Sequence, residues 1–548
     1  MRQSLLLFSI GPVKGVVDNS RKMRDMYAGS FLLSYLMGRT LDYLKKQYGD
    51  RAEVVLPCRE MKTEAVNIPN RFAAVIGCER EEEKAEIGRK LQTYVKQELS
   101  TAAKKIFPEE AWTPAMAQIE HFLEVYWVFE DMPCKEDYPC KYNEAVDKLN
   151  AVKQLRLFSQ NTETADRKCS LYESLNALFV RNGRKPAYLS PEAYSVKQGY
   201  DLKLGETLSA PAYLKRMLYR AKLEGYDADI ISVAYMLLKS RVPEEYRNAL
   251  EELKDVAETI FDQANGQKLT TQEYSEELIP VAEKLYLKLE EDRVSLSPYY
   301  AIVKLDGDNV GSLYRTCAGI DSHKTLSGQI QNFAEAAKEI FKAHHGVCIF
   351  AGGEDVLGFL PLETLFAAVM SLHQKFQDTV MHPNGEKLLT LSAGIVIAHL
   401  MMPLKGVMER LEEMERAAKG MQRRIENGSK EKNAFAIQLV KRAGESLVVK
   451  NGFGDSRENW KLLQNTVKAL SENVYSGSFI SQLSLLLHGL REKECCEKMV
   501  RALIKKALLQ SRATASAEDF YKLFAAFEND VAAFLDALQM ARFLAREV

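Results

Sequence analysis

Apolar runs of strand length alternate with stretches of helical spacing over the first quarter of the chain. SLLLFSI (4–10) is an unbroken apolar run closed by Gly11-Pro12, the pattern of a buried strand. Met23, Met26, Tyr27, Leu32, Leu33, Leu36 and Leu44 then recur along a long helical stretch. AEVVLPC (52–58) and RFAAVIG (71–77) read as two more strands, a highly charged helix runs from near Glu79 toward Ile106, and HFLEVYWVF (121–129) closes the set. The order is β-α-β-β-α-β, that of a ferredoxin-like fold. It returns with stronger signals over 297–445. YYAIVKLD (299–306) is a strand, and Leu326, Ile330, Phe333, Ala337, Ile340 and Phe341 mark a helix. GVCIFAGGEDVLGFL (346–360) is a hairpin, and LETLFAAVMSLHQKF (362–376) a helix. LLTLSAGIVIAH (388–399) is a strand, 403–421 a helix opened by Pro403, and NAFAIQLVK (433–441) ends the set.

Elsewhere the pattern is mostly helical. Residues 108–150 hold ten Asp/Glu against three Lys/Arg, residues 211–296 space Leu, Tyr and Ala helically, and 455–548 end in a Leu- and Ala-rich amphipathic stretch. The predicted fold class is α+β. Two ferredoxin-like domains, at 1–130 and 297–450, alternate with mainly helical domains at 131–296 and 451–548. No clear residue-level repeat links the halves.

Length supports several domains, since 548 residues exceed a single core. Lys plus Arg is 74 against 75 Asp plus Glu, a net charge of −1, which excludes a globally basic nucleic-acid coat. Nine cysteines never form C-x-x-C, so neither a zinc ribbon nor a disulfide framework is expected, and a reducing, cytoplasmic setting is. No run nears the ~18 apolar residues of a membrane span, and the N-terminal apolar stretch lacks a signal-peptide core and cleavage site.

The chemistry concentrates in KLDGDNVG (304–311) and AGGEDVLGF (351–359). A lone D-G-D is usually a loop, and a lone G-G-acid-acid usually a hairpin turn. Within one β-α-β-β frame, however, the first strand lies beside the hairpin, which brings Asp306 and Asp308 toward Glu354 and Asp355. Crowded carboxylates need a cation, and oxygen ligands completed by substrate phosphates suit Mg²⁺ or Mn²⁺. Gly352 and Gly353 let the backbone pass close to a nucleotide. Asn309 and Gly311, just past the strand, are placed to touch base or phosphate. The pattern thus points to metal-dependent nucleotide chemistry.

It resembles the palm of nucleotide cyclases and polymerases, GGDEF proteins included. FSIGPVKGVVDNSRKMRDMYAGSFLLSYLMGR (8–39), IPNRF (68–72), RKCSL (167–171), YAIVKLDGDNVG (300–311), AGGEDVLGFLPL (351–362), LSAGIVIAH (391–399) and KRAGE (441–445) occur in that order. Together they resemble the large, polymerase-like palm subunit of type III-B CRISPR RNA-guided effector complexes, across nearly the whole chain. The resemblance implies a target-RNA-activated nucleotidyltransferase that makes a second messenger, cyclic oligoadenylate, from ATP. It implies guide and target RNA as partners through the other subunits, and a small helical subunit at the C-terminal domain. Asp306 and Glu354 are then the principal metal ligands, with Asp355 assisting. Gly29, Ser30 and Asn70 match motifs the family uses near ATP, and Lys419 occupies the place where related cyclases hold a triphosphate. The first domain, without an acid pair at its strand junction, is expected to shape a second nucleotide pocket. Arg21, Lys22 and Arg24 are candidates for RNA phosphates.

Three departures from the family pattern matter. Many relatives carry an N-terminal HD nuclease domain, but here the first strand starts at residue 4 and none of the eight histidines is followed by Asp, so no nuclease is expected. The usual hairpin is G-G-D-D, whereas position 354 is Glu, which keeps the charge on a longer arm. Relatives often have a zinc site near R-K-C-S-L-C; RKCSLYE keeps Cys169 without its partner, so no zinc is expected there. Two rivals remain: conjugation of ATP to S-adenosylmethionine at the same site, which Asn70 disfavours, and a non-catalytic scaffold, which crowded carboxylates disfavour.

Overall fold

A computed structural model gives the chain as a mixed α+β protein. It describes residues 3–548 except 59–67, 79, 156–162, 164–165, 182–193, 197–201, 204, 231, 272, 382–388, 422, 425–429, 455, 476, 491–496 and 512–515. Cys495 and Cys496 lie outside the described residues. The first sheet comprises β1 (Gln3–Gly11), β2 (Ala52–Leu56), β3 (Arg71–Gly77) and β4 (Glu124–Met132), in the order β2-β3-β1-β4, all neighbours antiparallel. The helices between them are α1 (Val13–Val17), α2 (Met23–Tyr48), α3 (Glu81–Lys104) and α4 (Trp112–Ile119). Side chains alternate across β1 as its period demands. Leu6, Phe8 and Ile10 enter one core with α2 and α3, while Leu5 and Leu7 meet Tyr138, Tyr142, Val146 and Leu149 of α5 (Tyr138–Gln154).

The middle segment carries a feature its helical pattern concealed. β5 (Phe179–Arg181), β6 (Tyr194–Val196) and β7 (Thr207–Leu208) form a small three-stranded sheet. Strands of two or three residues are too short to impose a period, which is why the sequence reads as helix there. Helices α6 (Ala210–Arg216), α7 (Val233–Arg241), α8 (Arg247–Glu252), α9 (Glu258–Ala264) and α10 (Leu278–Glu291) follow. α6 anchors this segment to the first sheet's helices through two buried cations. Lys215 Nζ donates to Val16 O (2.7 Å), Asn19 O (2.6 Å) and Ser20 Oγ (3.1 Å). The Arg216 guanidinium grips Asp25 through Nε and Nη2 (2.5 and 2.7 Å) and Glu206 through Nη1 and Nη2 (3.1 Å each).

The second sheet begins with β8 (Tyr299–Gly307), followed by α11 (Val310–Thr316) and α12 (Ile320–Ala343). The hairpin β9 (Val347–Gly352) and β10 (Asp355–Pro361) leads through α13 (Leu365–Thr379) to β11 (Leu391–His399) and α14 (Leu404–Gly420). After the short pair β12 (Arg423–Arg424) and β13 (Lys430–Glu431) come β14 (Ala434–Val440) and β15 (Ser446–Gly452). The strand order is β15-β14-β11-β8-β10-β9. β14 runs parallel to β11 after the α14 crossover, and β15 extends the edge antiparallel. β15 was not anticipated, because SLVVKNG is half exposed and lacks clean alternation. α15 (Glu458–Ser471), α16 (Gly477–Leu487), α17 (Glu497–Ser511), α18 (Ala517–Ala526) and α19 (Val531–Glu547) end the chain. No helix among the described residues is long and apolar enough to cross a membrane.

The two sheets share one apolar core. Leu6, Phe8, Phe72 and Ala74 of the first sheet belong to the same buried cluster as Tyr300, Ile302, Leu357 and Phe359 of the second. Polar contacts stitch the seam: Lys14 to Glu412 (2.7 Å), Lys324 to Glu53 (2.5 Å), and the Cys58 N–H to Ser327 Oγ (2.9 Å). Tyr138 meets His323 Nδ1 at 2.8 Å, and His323 Nε2 faces the Tyr314 carbonyl. A carbonyl only accepts, so Nε2 carries the proton and Nδ1 accepts from the tyrosine.

Candidate active site

The alternation of β8 decides where its acids point. Tyr300 and Ile302 face the core shared with the first sheet, whereas Ala301, Val303 and Leu305 face the other side. Lys304 and Asp306 therefore lie on the seam side. On β10, Leu357 and Phe359 face the seam and so does Asp355. Asp306 and Asp355 are direct cross-strand partners. Burial first, then the charges of Asp306 and Glu354 and a hydrogen bond with Asp306, hold the Asp355 carboxyl well above the ordinary range. Gly353, in the left-handed region at φ 69°, makes the turn, and Gly352 pairs across it with Asp355.

Cations already line this pair. Lys419 forms an ion pair with Asp306 and stands 3.4 Å from Glu415, whose carboxylate also takes Lys304 at 2.6 Å. Burial opposes the Lys419 charge, but the hydrogen bond and charge of Asp306, with Glu415 and Asp355, outweigh it and hold the ammonium above its usual value. The lysine expected at a triphosphate is thus beside the principal acid.

Glu354 departs from expectation. It lies one residue before β10, and its Cβ stands 3.0 Å from where a Cβ on Gly307 would be. Its charge acts on Tyr314 and Tyr142 of the α11–α5 side. Burial raises its carboxyl above the ordinary value, a backbone hydrogen bond opposes this, Asp306 adds to it, and Arg71 and Lys419 oppose it. Among the described residues no three metal-ligating side chains stand together at coordination spacing. Asp306, Glu354 and Asp355 nevertheless lie near enough for their charges to act on one another, with Glu354 in the turn just before β10. What is assembled is an acid pair, Asp306 and Asp355, with Glu354 at the rim. Two directly paired carboxylates fit a hard divalent cation that takes its remaining ligands from water and phosphate, as Mg²⁺ does.

Asp308 is a correction of another kind. It is 2 % exposed, and its carboxylate accepts from Thr390 Oγ1 (2.7 Å), Ser392 Oγ (2.8 and 3.0 Å) and the Asn433 N–H (3.0 Å). Its acceptor sites are spent tying β11 and the start of β14 to the turn after β8, so it does not reach a nucleotide. The network continues outward: Arg457 Nε donates to His373 Nδ1 (3.0 Å), and His373 Nε2 meets Asn433 Oδ1 (2.7 Å). Arginine only donates, which fixes the proton of His373 on Nε2. None of these partners is close to Asp308 in sequence, and no local signal marks them.

The remaining candidates divide. Asn309, at φ 63°, and Gly311 are exposed beside the end of β8, open to a ligand. Gly29 and Ser30 lie on the buried face of α2, which packs against β9. A Cβ at Gly29 would meet Val16 O at 2.9 Å, so helix packing accounts for this glycine. No hydrogen bond or ion pair among the described residues joins Gly29 or Ser30 to the hairpin acids. The Asn70 backbone carbonyl accepts from the Ile10 N–H (2.9 Å) and its side-chain Nδ2 donates to Ile10 O (3.2 Å), so this residue extends the β1–β3 pairing. Cys169 is buried, with its sulfur 3.4 Å from the Leu171 N–H. Arg24 is buried and pairs with Asp255 at 3.2 Å, which removes it from the RNA-facing candidates; Arg21 pairs with Glu206 at 3.7 Å.

A stability test isolates the electrostatics of the acid pair. A carboxyl whose folded value is raised costs stability as pH climbs from its unfolded value, ~3.9 for Asp, through the folded one. Asp355→Asn is therefore expected to raise the melting temperature by a few degrees at pH 7.5 and not at pH 3.5, in metal-free buffer. Thermal scans at both pH values check this, and an equal shift at both would assign the gain to packing.

The two β-α-β-β-α-β sheets define a palm-type fold, and the comparisons with known proteins agree. The family model for the second palm domain of Cas10/Cmr2 matches residues 299–433, and that for the N-terminal domain of CRISPR-associated protein Cmr2 matches residues 5–107. The CRISPR system Cmr subunit Cmr2 of Pyrococcus furiosus is 23% identical over 577 aligned positions, covering 84% of this chain and 63% of that protein. The chain thus spans less than two thirds of that relative's length. The fold matches type III-B Cmr-beta in the apo state (TM-score 0.65, 14% identity, 99% of this chain and 82% of that one). It matches Cmr-beta bound to cognate target RNA equally well (TM-score 0.66, 13% identity, 99% and 83%). The two matched stretches are thus similar to domains of Cas10/Cmr2 proteins, and the whole chain shares the fold of Cmr-beta.

Proposed function

We propose that the chain is the nucleotidyltransferase subunit of a type III-B CRISPR effector complex, switched on by target RNA and making cyclic oligoadenylate from ATP. The observation that carries the reading is Asp306 directly opposite Asp355 on the seam between two β-α-β-β-α-β sheets, with Lys419 on the same acid. In this reading the sheets belong to palm domains at 1–130 and 297–450, alternating with mainly helical domains at 131–296 and 451–548. The ribose hydroxyl of one ATP attacks the α-phosphorus of another, and pyrophosphate leaves as the bond to the β-phosphate breaks. Asp306 and Asp355, with Glu354 at the rim, would hold Mg²⁺ or Mn²⁺, which when bound neutralises phosphate charge and polarises the attacked phosphorus. Lys419 offers its ammonium to phosphate oxygens once a cation takes its place on Asp306. Gly353 keeps the turn free of a side chain, and the exposed Asn309 and Gly311 border the nucleotide. Most of the rate gain comes from holding two substrates in register, because a misplacement of ~1 Å can cost ~10²-fold.

Guide and target RNA would act through the other subunits, with a small helical subunit on the C-terminal helices. The likeness of the fold to Cmr-beta bound to cognate target RNA supports the RNA part of that reading. Because the seam joins two sheets distant in sequence, a small shift between them is enough to gate the reaction, within the ~1–3 kcal/mol of ordinary allosteric coupling. The test incubates the complex containing this chain with labelled ATP and Mg²⁺, adding matched target RNA, unrelated RNA or none, each with and without S-adenosylmethionine. Mass spectrometry is expected to find adenylate oligomers with matched RNA only. Equal yields with all three RNA conditions would refute the switch, and a product containing S-adenosylmethionine would replace the ATP-only reaction.

A further inference from the structure

Left-handed backbone recurs at three residues other than glycine along one hydrogen-bonded line. Asn309 (φ 63°) opens α11, Asn433 (φ 39°) precedes β14, and Arg457 (φ 58°) opens α15, the first of the C-terminal helices. Such backbone is unfavourable for any residue with a Cβ and persists where the surroundings over-determine it, commonly at functional sites. The donors along the line all point the same way. Arg457 Nε donates to His373 Nδ1 (3.0 Å), His373 Nε2 to Asn433 Oδ1 (2.7 Å), and the Asn433 N–H to Asp308 Oδ2 (3.0 Å). His373, Asn433 and Asp308 are buried. Burial first, with the Arg457 charge added, pushes the imidazole down to about 4 against the Asn433 bond, so the ring is neutral. The Asn433 carbonyl accepts from the Phe453 N–H (2.8 Å), a second tie to the approach to α15.

Hydrogen bonds aligned head to tail and out of water reinforce one another. These end on the carboxylate directly before Asn309, at the turn that leads to Gly311. A helix start is ordinarily capped by a short polar side chain in extended backbone. Arg457 makes no cap hydrogen bond and sends its side chain to His373 and Gln377 of α13 instead. We propose that Asn433, His373 and Arg457 are positioning residues that hold the Asp308–Gly311 turn ready for nucleotide, and that through them the C-terminal helices set the ATP affinity of the second sheet's site. The inference rests on Asn309 and Gly311 bordering the nucleotide. It adds a route of regulation that bypasses the acid pair, because a displacement of α15 pulls on Asn309 through the line.

The test joins hydrogen exchange to calorimetry, on the full chain in Mg²⁺ buffer with ATP as the probe. Arg457→Met is expected to speed amide exchange over residues 308–313 by about threefold or more, and to weaken ATP by about three- to tenfold, the worth of one hydrogen bond. His373→Leu and Asn433→Gly should do the same. The glycine keeps the left-handed backbone and the N–H on Asp308 but drops the amide from the line. Because the three act in series, adding Arg457→Met to His373→Leu should bring no further loss. Arg457→Lys keeps a donor and should recover part of the affinity. Arg457→Met lies at a half-buried helix start and keeps the test open if His373→Leu melts early. Faster exchange confined to 453–460 with ATP affinity unchanged would overturn the proposal, as would additive losses in the double variant or a wild-type chain that binds no ATP. If the line governs ATP affinity yet the activated complex yields no product, the positioning role stands and the nucleotidyltransferase reading falls.

Discussion

Replacing Glu354 and Asp355 together by alanine is expected to lower ATP consumption by ~10³-fold or more while the complex still assembles. Removing carboxylates that neutralise phosphate through a divalent cation costs several kcal/mol of transition-state stabilisation, and each ~1.4 kcal/mol is a factor of ten. Assembly should survive because both positions sit at a turn, outside the apolar clusters that hold the sheets. The geometry ranks the single variants as well. Asp355 is the direct partner of Asp306, whereas Glu354 turns toward Gly307 and Arg71. Asp355→Ala should therefore be the more damaging, with Glu354→Ala retaining more activity and shifting its Mg²⁺ requirement upward. Initial rates across a Mg²⁺ titration separate the two. Near-normal turnover by the double variant would remove the acid pair from the mechanism.

The meeting of Asp306 with the hairpin is legible because it follows from element order. A β-α-β-β unit places the hairpin beside the first strand, and G-G-E-D supplies the turn. The sides to which the acids turn are not legible without the register. Position 355 pairs with 306, and that fixes 354 on the other side of the turn. Asp308 was misread for a related reason. Its three partners lie 82 to 125 residues away, so the sequence shows a carboxylate beside the strand that carries Asp306 and hides the groups that consume it. Arg71 stood inside a quoted motif, IPNRF, with no assigned role. Its place near Glu354 and the tyrosines of α5 and α11 is set by packing, which the sequence does not show.

The middle segment offered the least to sequence reading, and it contains the other large effect. Arg216→Met is expected to destabilise the fold by ~3–5 kcal/mol, the usual cost of removing one partner from a buried ion pair. Arg216 is fully buried, and so, to within 1 %, are the side chains of Asp25 and Glu206 that it grips. Methionine fills the same length but strands two carboxylates without water. Asp25 also accepts from the Lys22 N–H at 3.2 Å, so the loss spreads to the start of α2, the helix that packs on β9. The pH dependence gives the variant a signature. In the wild type, burial works against the Asp25 charge, but Arg216 outweighs it and holds the carboxyl at about 2. That stabilisation is present above the ordinary carboxylate value and fades as pH falls toward 2. In the variant the stranded acids bind protons readily, so acidification relieves their burial. The stability difference between the two proteins should therefore be largest near pH 7 and shrink below pH ~4.5. Urea denaturation at both pH values measures it, with Asp25→Asn added to Arg216→Met expected to restore part of the loss. A difference that does not change with pH would show that methionine disturbs packing and that the stranded charges contribute little.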